Sequence, residues 1–254
     1  MSLRSRATGL VTGPAHALRC EVGEAWSLAR AVAGYRGSDV GLAESTEPFG
    51  ASTGWRTPVV LVHGAGHNGS AWATWGPRLR AAGFEHLVAL EYRTGAQSVT
   101  ALASDLGHRI DGVRERAGSE HVHVVGHSLG GFALRVWHDL LGGDEALGVG
   151  VTLGSPHHGL TLLRLPSAPR SLRELRPDSE LHRELATTHV GHGNWVSIAG
   201  ARDRIVPARF CELPGAGNVT LDHLGHMGLL YSRAVAGHVS FELLAAEEAA
   251  ATAA

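Results

Sequence analysis

A serine between two glycines is the first feature of the sequence that could perform chemistry. The stretch VHVVGHSLGG contains Gly126-x-Ser128-x-Gly130, placed between an apolar run and residues that can begin a helix. A serine on such a strand-to-helix turn points its hydroxyl group outwards, and the glycines leave room for the turn. The spacing therefore predicts that Ser128 is a nucleophile. A serine that only caps a glycine-rich turn is the plainer alternative.

A serine hydroxyl becomes a good nucleophile only when a histidine accepts its proton and an acid orients that histidine. Asp203 and His226 follow in this order, each after an apolar run. Two neighbours compete for these roles, because His223 lies closer to the preceding run and Asp222 lies in the same loop. We predict His226 as the base, since it stands between glycines before a helical run. We predict Asp203 as the acid, since it comes from a separate loop.

Backbone N–H groups near these loops can stabilise the negative charge that develops on a substrate. The segment VHGAGHNG follows the first apolar run of the core, and its His-Gly step permits a sharp turn. We expect the N–H groups of Ala65 and Leu129 to face one substrate oxygen from opposite sides. The positive end of the helix after Ser128 adds to this effect.

Short continuous apolar runs recur along the chain and predict buried strands. These runs are 58–64, 86–92, 122–126, 148–154, 194–200 and 218–221, and the helical stretches between the early ones are 70–82, 99–116 and 129–141. Such alternation predicts an α/β fold with a mostly parallel central sheet and helices on both faces. In these sheets, polar side chains that follow the strands meet at the carboxyl edge. The predicted nucleophile, acid and base all follow strands in this way.

Four segments together carry a resemblance to a known family. VLVHGAG, GHSLGG, TLGSPHHG and GHMGLLYS resemble the α/β-hydrolase lipases and esterases of bacteria, especially small ones without a large cap domain. The resemblance covers roughly residues 57–245. It implies the α/β-hydrolase fold and hydrolysis of acyl esters, with a preference for lipid-like substrates and no need for a metal or organic cofactor. It implies a triad of Ser128, Asp203 and His226, and an oxyanion hole formed by the backbone of Ala65 and Leu129.

The same segments suggest which residues contact the substrate. In true lipases a turn similar to TLGSPHHG lines the active site, and His63 and His127 lie within the other two loops. We therefore expect substrate contacts from His63, His127, His157 and Leu160. His63 is expected chiefly to support its loop.

The chain divides into three segments, the second of which contains an insertion. Residues 1–56 form a predicted N-terminal helical extension and loop that pack on the body, and residues 57–245 form the catalytic domain. Within that domain, leucines and prolines in 160–193 predict a small helical excursion, with Asp178 or Ser179 capping a helix. This excursion either forms a wall or modest lid of an acyl pocket or simply packs on the body. The alanine-rich residues 246–254 are expected to fray.

The composition excludes several other classes of function. A net charge of −2 gives no footprint for nucleic acid, and no apolar run reaches the ~20 residues of a membrane span. The N-terminus lacks a convincing signal peptide, so we expect a cytoplasmic protein.

Among 17 histidines, the tightest clusters (121–123 and 157–158) lack the spacing of a zinc site, so no metal is predicted. Cys20 and Cys211 form no CxxC pair and are expected to be free thiols, with a disulfide as the alternative.

Two alternatives to ester hydrolysis stay open. The same triad supports an acyltransferase or a thioesterase, because the fold does not determine the acyl acceptor. The second alternative is a non-catalytic binding protein that has kept the hydrolase fold, although every predicted triad residue is present. The substrate is expected to be a small-molecule acyl ester or lipid, and the sequence does not determine the oligomeric state.

Overall fold

Six parallel strands form one central sheet in the computed structural model of this chain. The structure describes residues 42, 49–50, 54–55, 57–93, 97–160, 169–188 and 191–253. Most of the predicted N-terminal extension, including Cys20, lies outside these residues. The strands are β1 (Val59–Val62), β2 (Leu87–Leu90), β3 (Val122–His127), β4 (Leu147–Leu153), β5 (Trp195–Gly200) and β6 (Gly217–Leu221). Their spatial order is β2-β1-β3-β4-β5-β6, and every neighbouring pair is parallel.

Helices connect these strands and cover both faces of the sheet, which confirms the predicted fold class. The α-helices of the described residues are α1 (Gly76–Ala81), α2 (Val99–Ala117), α3 (Leu129–Leu140), α4 (Arg170–Glu174), α5 (Glu180–Leu185), α6 (Gly228–Tyr231) and α7 (Arg233–Ala253). Short 3₁₀ helices span Gly69–Trp72 and Ala208–Phe210. None of the helices described is both long enough and apolar enough to cross a membrane.

The continuous apolar runs of the strands follow from burial on two sides. In β1, Val60 and Val62 pack into one half of the core while Val59 and Leu61 pack into the other. Because successive side chains of a strand point to opposite faces, a strand covered on both faces must be apolar throughout. The runs that predicted strands are therefore the runs that the helices enclose.

Local signals in the sequence fix the ends of the long helix α2. The side chain of Ser98 accepts a hydrogen bond from the N–H of Ala101, which satisfies one of the unpaired donors at the helix start. Gly118 adopts a left-handed conformation (φ 59°) at the C-terminal end. The apolar residues between these caps recur every three or four positions and are buried: Leu102, Leu106, Ile110 and Val113.

The described part of the 160–193 excursion packs on the body of the domain. The N–H of Leu160 donates to the carbonyl of Leu175 (2.7 Å), and the Glu174 carboxylate accepts the N–H of Val99 at the start of α2 (2.6 Å). Leu185 is buried in the same half of the core as α2 and α3. Ser179 caps α5, as predicted, by accepting the N–H of His182.

The alanine-rich C-terminus is helical in the structure. Residues 246–253, which were expected to fray, form the last two turns of α7. Alanine has the highest helix propensity of all residues, and Val239 and Leu243 anchor the preceding turns in the core. The predicted domain boundary at 245 therefore lies within a helix.

Replacing Leu185 by alanine tests whether α5 is part of the folded body. We expect Leu185→Ala to lower the free energy of unfolding by about 2–5 kcal/mol, because it removes a buried side chain and leaves a cavity. The measurement is urea denaturation of the full chain followed by circular dichroism. Glu184→Ala, at the exposed neighbouring position, is the control and should change stability little. Equal stability of both variants would mean that α5 is only loosely attached.

Candidate active site

Ser128 lies on a strained turn between β3 and α3. Its backbone (φ 52°, ψ −122°) makes it the one non-glycine residue with positive φ in the described part of the chain. Such a conformation costs of order 1–3 kcal/mol and is found where function requires it. A β-carbon at Gly126 would lie 2.6 Å from the Gly131 nitrogen, and one at Gly130 would lie 2.6 Å from the Val62 carbonyl oxygen. Both flanking glycines are therefore required by contacts with backbone.

The predicted acid and base are in direct contact. His226 Nδ1 lies 2.6 Å from Asp203 Oδ2, and both side chains are buried. The other carboxylate oxygen accepts the N–H groups of Ile205 (2.8 Å) and Val206 (2.7 Å), so Asp203 is held from three directions. Nδ1 carries the proton in this pair, because a carboxylate can only accept, and Nε2 is left with a lone pair.

The two rivals for these roles lie elsewhere. Asp222 and His223 are both exposed, on the outer part of the loop between β6 and α6. The geometry thus distinguishes His226 from His223 and Asp203 from Asp222, which the sequence order alone left open.

The end of β4 brings the Asp–His pair and the serine to the same edge of the sheet. The N–H of Ser128 donates to the carbonyl of Leu153 (2.9 Å). The next residue, Gly154, has φ 57°, and a β-carbon there would lie 3.1 Å from His226 Nδ1 and 3.2 Å from Asp203 Oδ2. Ser128 and His226 are not hydrogen-bonded to each other in the described residues. Such bonds often shorten only when substrate binds.

The loop after β1 passes directly over the serine turn. A β-carbon at Gly64 would lie 3.0 Å from Ser128 Cβ. The next N–H, that of Ala65, and the N–H of Leu129 at the start of α3 donate no hydrogen bond within the described part of the chain. These two groups are therefore available to a negatively charged oxygen beside Ser128.

Two consecutive residues after β2 hold this loop in place, and sequence analysis missed them. The Tyr92 hydroxyl donates to the His63 carbonyl (2.5 Å), and the two rings stack with centroids 4.2 Å apart. The Glu91 carboxylate accepts the N–H of Gly69 (2.5 Å) at the other end of the loop. The predicted run 86–92 included both residues, whereas the observed strand ends at Leu90 and leaves Glu91 and Tyr92 directly after it, where polar residues gather at the carboxyl edge.

The four predicted substrate contacts all lie in the interior. Leu160 belongs to the apolar core, and His157 Nε2 lies 2.9 Å from Thr152 Oγ1. The His127 ring packs against the ring of His226 with centroids 4.6 Å apart. The Nδ1 atom of His63 donates to the carbonyl of Gly64 (2.9 Å). Whether any of these residues touches substrate stays a prediction.

Burial keeps three of these side chains uncharged. Desolvation lowers the pKa of His63 to about 4. Desolvation also lowers the pKa of His127 and of His157 well below the usual value, and a nearby His226 and Arg135, respectively, act in the same direction. The interior next to the serine turn therefore contains neutral imidazoles.

A known family matches most of the region that forms this site. A model of the alpha/beta hydrolase family matches residues 59–195, which is more than half of the chain. The matched segment begins with β1 and includes the serine turn, and it ends where β5 starts. Asp203 and His226 lie after it.

Solved structures share the same fold at low sequence identity. The Bacillus licheniformis lipase BlEst2 in mature form is 16% identical (TM-score 0.58), covering 74% of this chain and 91% of that one. Aspergillus fumigatus lipase B is 21% identical (TM-score 0.61), covering 74% and 52%. A putative non-heme bromoperoxidase, BpoC, from Mycobacterium tuberculosis is 15% identical (TM-score 0.58), covering 77% and 95%. At these identities the likeness shows the fold alone.

The lowered pKa values of the buried histidines predict a loss of stability in mild acid. The unfolded chain binds protons on these histidines below about pH 6.5. In the folded protein His63 stays neutral until the pH approaches 4, and burial likewise holds the pKa of His127 and His157 well below the usual value. Each such histidine therefore removes up to about 1.4 kcal/mol of stability per pH unit as the pH falls through this window. Urea denaturation at pH 7.5, 6.5 and 5.5 measures the slope.

A pair of variants assigns this slope to a residue. His157→Gln should reduce the pH dependence, because one of the contributing groups is removed. His108→Gln, at an exposed position of α2, should leave the slope as it is in the unaltered protein. A slope that is the same in both variants would contradict the assignment.

Proposed function

This chain belongs to the alpha/beta hydrolase family, and from that premise we propose that it is a serine carboxylester hydrolase. Ser128 is the nucleophile, His226 the general base and Asp203 the acid that orients it. The observation that carries the proposal is the buried 2.6 Å contact between His226 Nδ1 and Asp203 Oδ2, at the same sheet edge as the strained Ser128 turn.

The reaction follows from the available protons and donors. Ser128 Oγ attacks the ester carbonyl carbon while His226 Nε2 accepts the hydroxyl proton. The carbonyl oxygen becomes negatively charged and accepts hydrogen bonds from the N–H groups of Ala65 and Leu129. His226 then gives its proton to the alcohol oxygen as the C–O bond breaks, which leaves an acyl group on Ser128. Water repeats the sequence in the second half and releases the carboxylic acid.

The surroundings of His226 favour its transient positive charge. Asp203 accepts from its Nδ1–H, and the N–H groups of Ile205 and Val206 fix the carboxylate in that position. The neighbouring His127 ring stays neutral because burial lowers its pKa. A charged ring at 4.6 Å would repel the imidazolium that forms on His226, so the burial of His127 supports proton transfer.

The proposed substrates are acyl esters, with a preference for lipid-like acyl groups. Two of the structural neighbours reported above are named lipases, and both have the fold of this chain. The motifs that resemble small bacterial lipases point in the same direction. Transfer of the acyl group to another alcohol, or hydrolysis of a thioester, would use the same three side chains, so product analysis distinguishes these reactions.

Activity on a series of p-nitrophenyl esters, from acetyl to palmitoyl, tests the proposal. We expect Ser128→Ala to lower kcat by at least about 10⁴-fold, since the covalent step is lost. Ser240→Ala, which removes a hydroxyl on the distant helix α7, is the matched control and should keep full activity. The acyl length with the highest kcat/KM defines the preference. A folded protein no faster than Ser128→Ala on every ester would contradict the proposal and favour acyl transfer or binding.

Tyr92→Phe tests the role of the loop that carries the Ala65 N–H. The variant loses the 2.5 Å hydrogen bond to the His63 carbonyl but keeps the ring. We expect kcat to fall about 10- to 100-fold, because a small displacement of an oxyanion donor is felt mainly in the transition state. KM should change little. Tyr231→Phe is the control, and a change confined to KM or to stability would show that Tyr92 does not position the donor.

A further inference from the structure

Three side chains of the types that bind metal ions meet in the interior, away from Ser128. His138 and Asp139 lie in the last turn of α3, and His192 comes from the segment before β5. His138 Nδ1 and His192 Nε2 lie 2.7 and 2.9 Å from Asp139 Oδ1. The distance from Ser128, ten residues earlier along the helix, is about 15 Å. We propose that His138, Asp139 and His192 form a binding site for a divalent transition metal, with zinc as the ion that fits best.

The hydrogen-bond partners of the two His192 ring nitrogens call for positive charge beside Asp139. His192 Nδ1 donates to the Pro214 carbonyl (3.0 Å), while its Nε2 faces both oxygens of Asp139 at 2.9 and 3.1 Å. A neutral imidazole has one N–H, and that proton is already used on Nδ1. Nε2 therefore either carries a second proton or directs its lone pair at a cation shared with the carboxylate. His138 Nδ1 points at the same oxygen.

The ligand types suit zinc. Two imidazole nitrogens and one carboxylate oxygen form a common three-residue zinc set, with bonds of about 2.0–2.2 Å. The three ligand atoms lie within 4.8 Å of one another. Bound zinc would require each histidine nitrogen to separate from Asp139 Oδ1 by about half an ångström from its present spacing of 2.7 or 2.9 Å.

Further contacts orient two of these ligands. The Pro214 carbonyl fixes the ring of His192, as hydrogen bonds to the second nitrogen do in known metal sites. Arg135 Nε lies 3.0 Å from Asp139 Oδ2 and leaves Oδ1 for the metal. The site therefore has both its ligands and the groups that orient them.

One side of the site borders a cavity of about 510 Å³. His192 and Arg135 line it, together with His157 and His182. The buried atoms His157 Nδ1 and His182 Nε2 find no hydrogen-bond partner within the described part of the chain. A polar cavity of this size can supply water as a fourth ligand, which zinc needs for tetrahedral coordination.

A proton-held ion network is the competing explanation. Burial alone would raise the pKa of Asp139, but hydrogen bonds from His138 and His192 and the charge of Arg135 lower it, so the carboxylate is ionised in either case. In the network, protons on His192 and the Arg135 charge balance Asp139 without a metal. The two explanations differ in one measurable respect, since zinc must displace protons from the imidazoles when it binds.

Metal binding by the full chain, produced without a histidine tag, tests the proposal. The protein is treated with a chelator, dialysed and titrated with Zn²⁺ at pH 7.5 against a chromophoric chelator. The variants are His192→Ala, Asp139→Asn and the control His158→Ala, which alters an exposed histidine of the same cavity. Circular dichroism confirms folding. His192 lies outside the helices and strands, so His192→Ala is expected to fold. This variant therefore tests the proposal even if Asp139→Asn does not fold.

We expect one zinc per chain in the unaltered protein and in His158→Ala, with release of protons on binding. His192→Ala should lower the affinity by at least about 100-fold. Ester hydrolysis plays no part in this readout, so the outcome is independent of the proposed function. Absence of zinc binding, or equal affinity in His192→Ala and the unaltered protein, would overturn the proposal and identify the cluster as a proton-held ion network.

Discussion

The close approach of backbone at the turn between β3 and α3 is the constraint on which the rest of the structure depends. The start of α3 lies so close to β1 and β3 that Gly126 and Gly130 have no space for a side chain. This contact holds Ser128 at φ 52°, a conformation that a free chain would avoid. The burial of Phe132 and Leu134 in the first turns of α3 supplies the stabilisation that maintains it. The same contact places the N–H of Leu129 opposite the loop of Ala65.

The environment of each buried histidine decides what it can do. No carboxylate of the described residues lies within hydrogen-bond distance of His63 or His127, the nearest to His63 being Glu91 at 3.8 Å. Burial therefore lowers the pKa of both histidines, and they act as neutral hydrogen-bonding groups. His226 is equally buried but lies 2.6 Å from Asp203, whose carboxylate would stabilise the imidazolium formed when the proposed general base accepts a proton. The same residue type thus supports the loop in one place and, in the proposed mechanism, transfers a proton in another. The presence of a carboxylate within hydrogen-bond distance distinguishes His226 from His63 and His127.

Much of the fold and of the candidate site could be predicted because both depend on short-range patterns. A strand buried on both faces leaves a continuous apolar run, and the first residues after such runs included Ser128 and Asp203. The flanking glycines already favoured His226 over His223, and the structure adds the 2.6 Å contact of His226 with Asp203. Glu91 and Tyr92 were missed because the predicted run 86–92 contained them, whereas the strand ends at Leu90.

Other features depend on contacts that no local pattern contains. His138 and His192 are more than fifty residues apart, and only the packing of the segment before β5 against α3 brings them together. The leucines of 160–193 are compatible both with a lid and with packing on the body. The burial of Leu160, Leu175, Leu181 and Leu185, and the hydrogen bond from Val99 to Glu174, show that the described part packs on the body. The alanine-rich tail has no turn signal that would stop α7.

The fold alone does not determine the substrate, because a named lipase and a putative bromoperoxidase share it with this chain. Differences in substrate are expected to arise in the segments between the strands. In this protein the segment after β4 contacts α3, the helix that begins directly after Ser128. The ring of His182 in α5 stacks on Phe132, one turn after Ser128, with centroids 5.0 Å apart. Arg135, one turn further, donates to the carbonyl of His157 (2.9 Å). A substitution in this segment therefore acts on α3 as well as on the cavity beside it, so the packing of the segment and the stability of the serine turn are physically coupled.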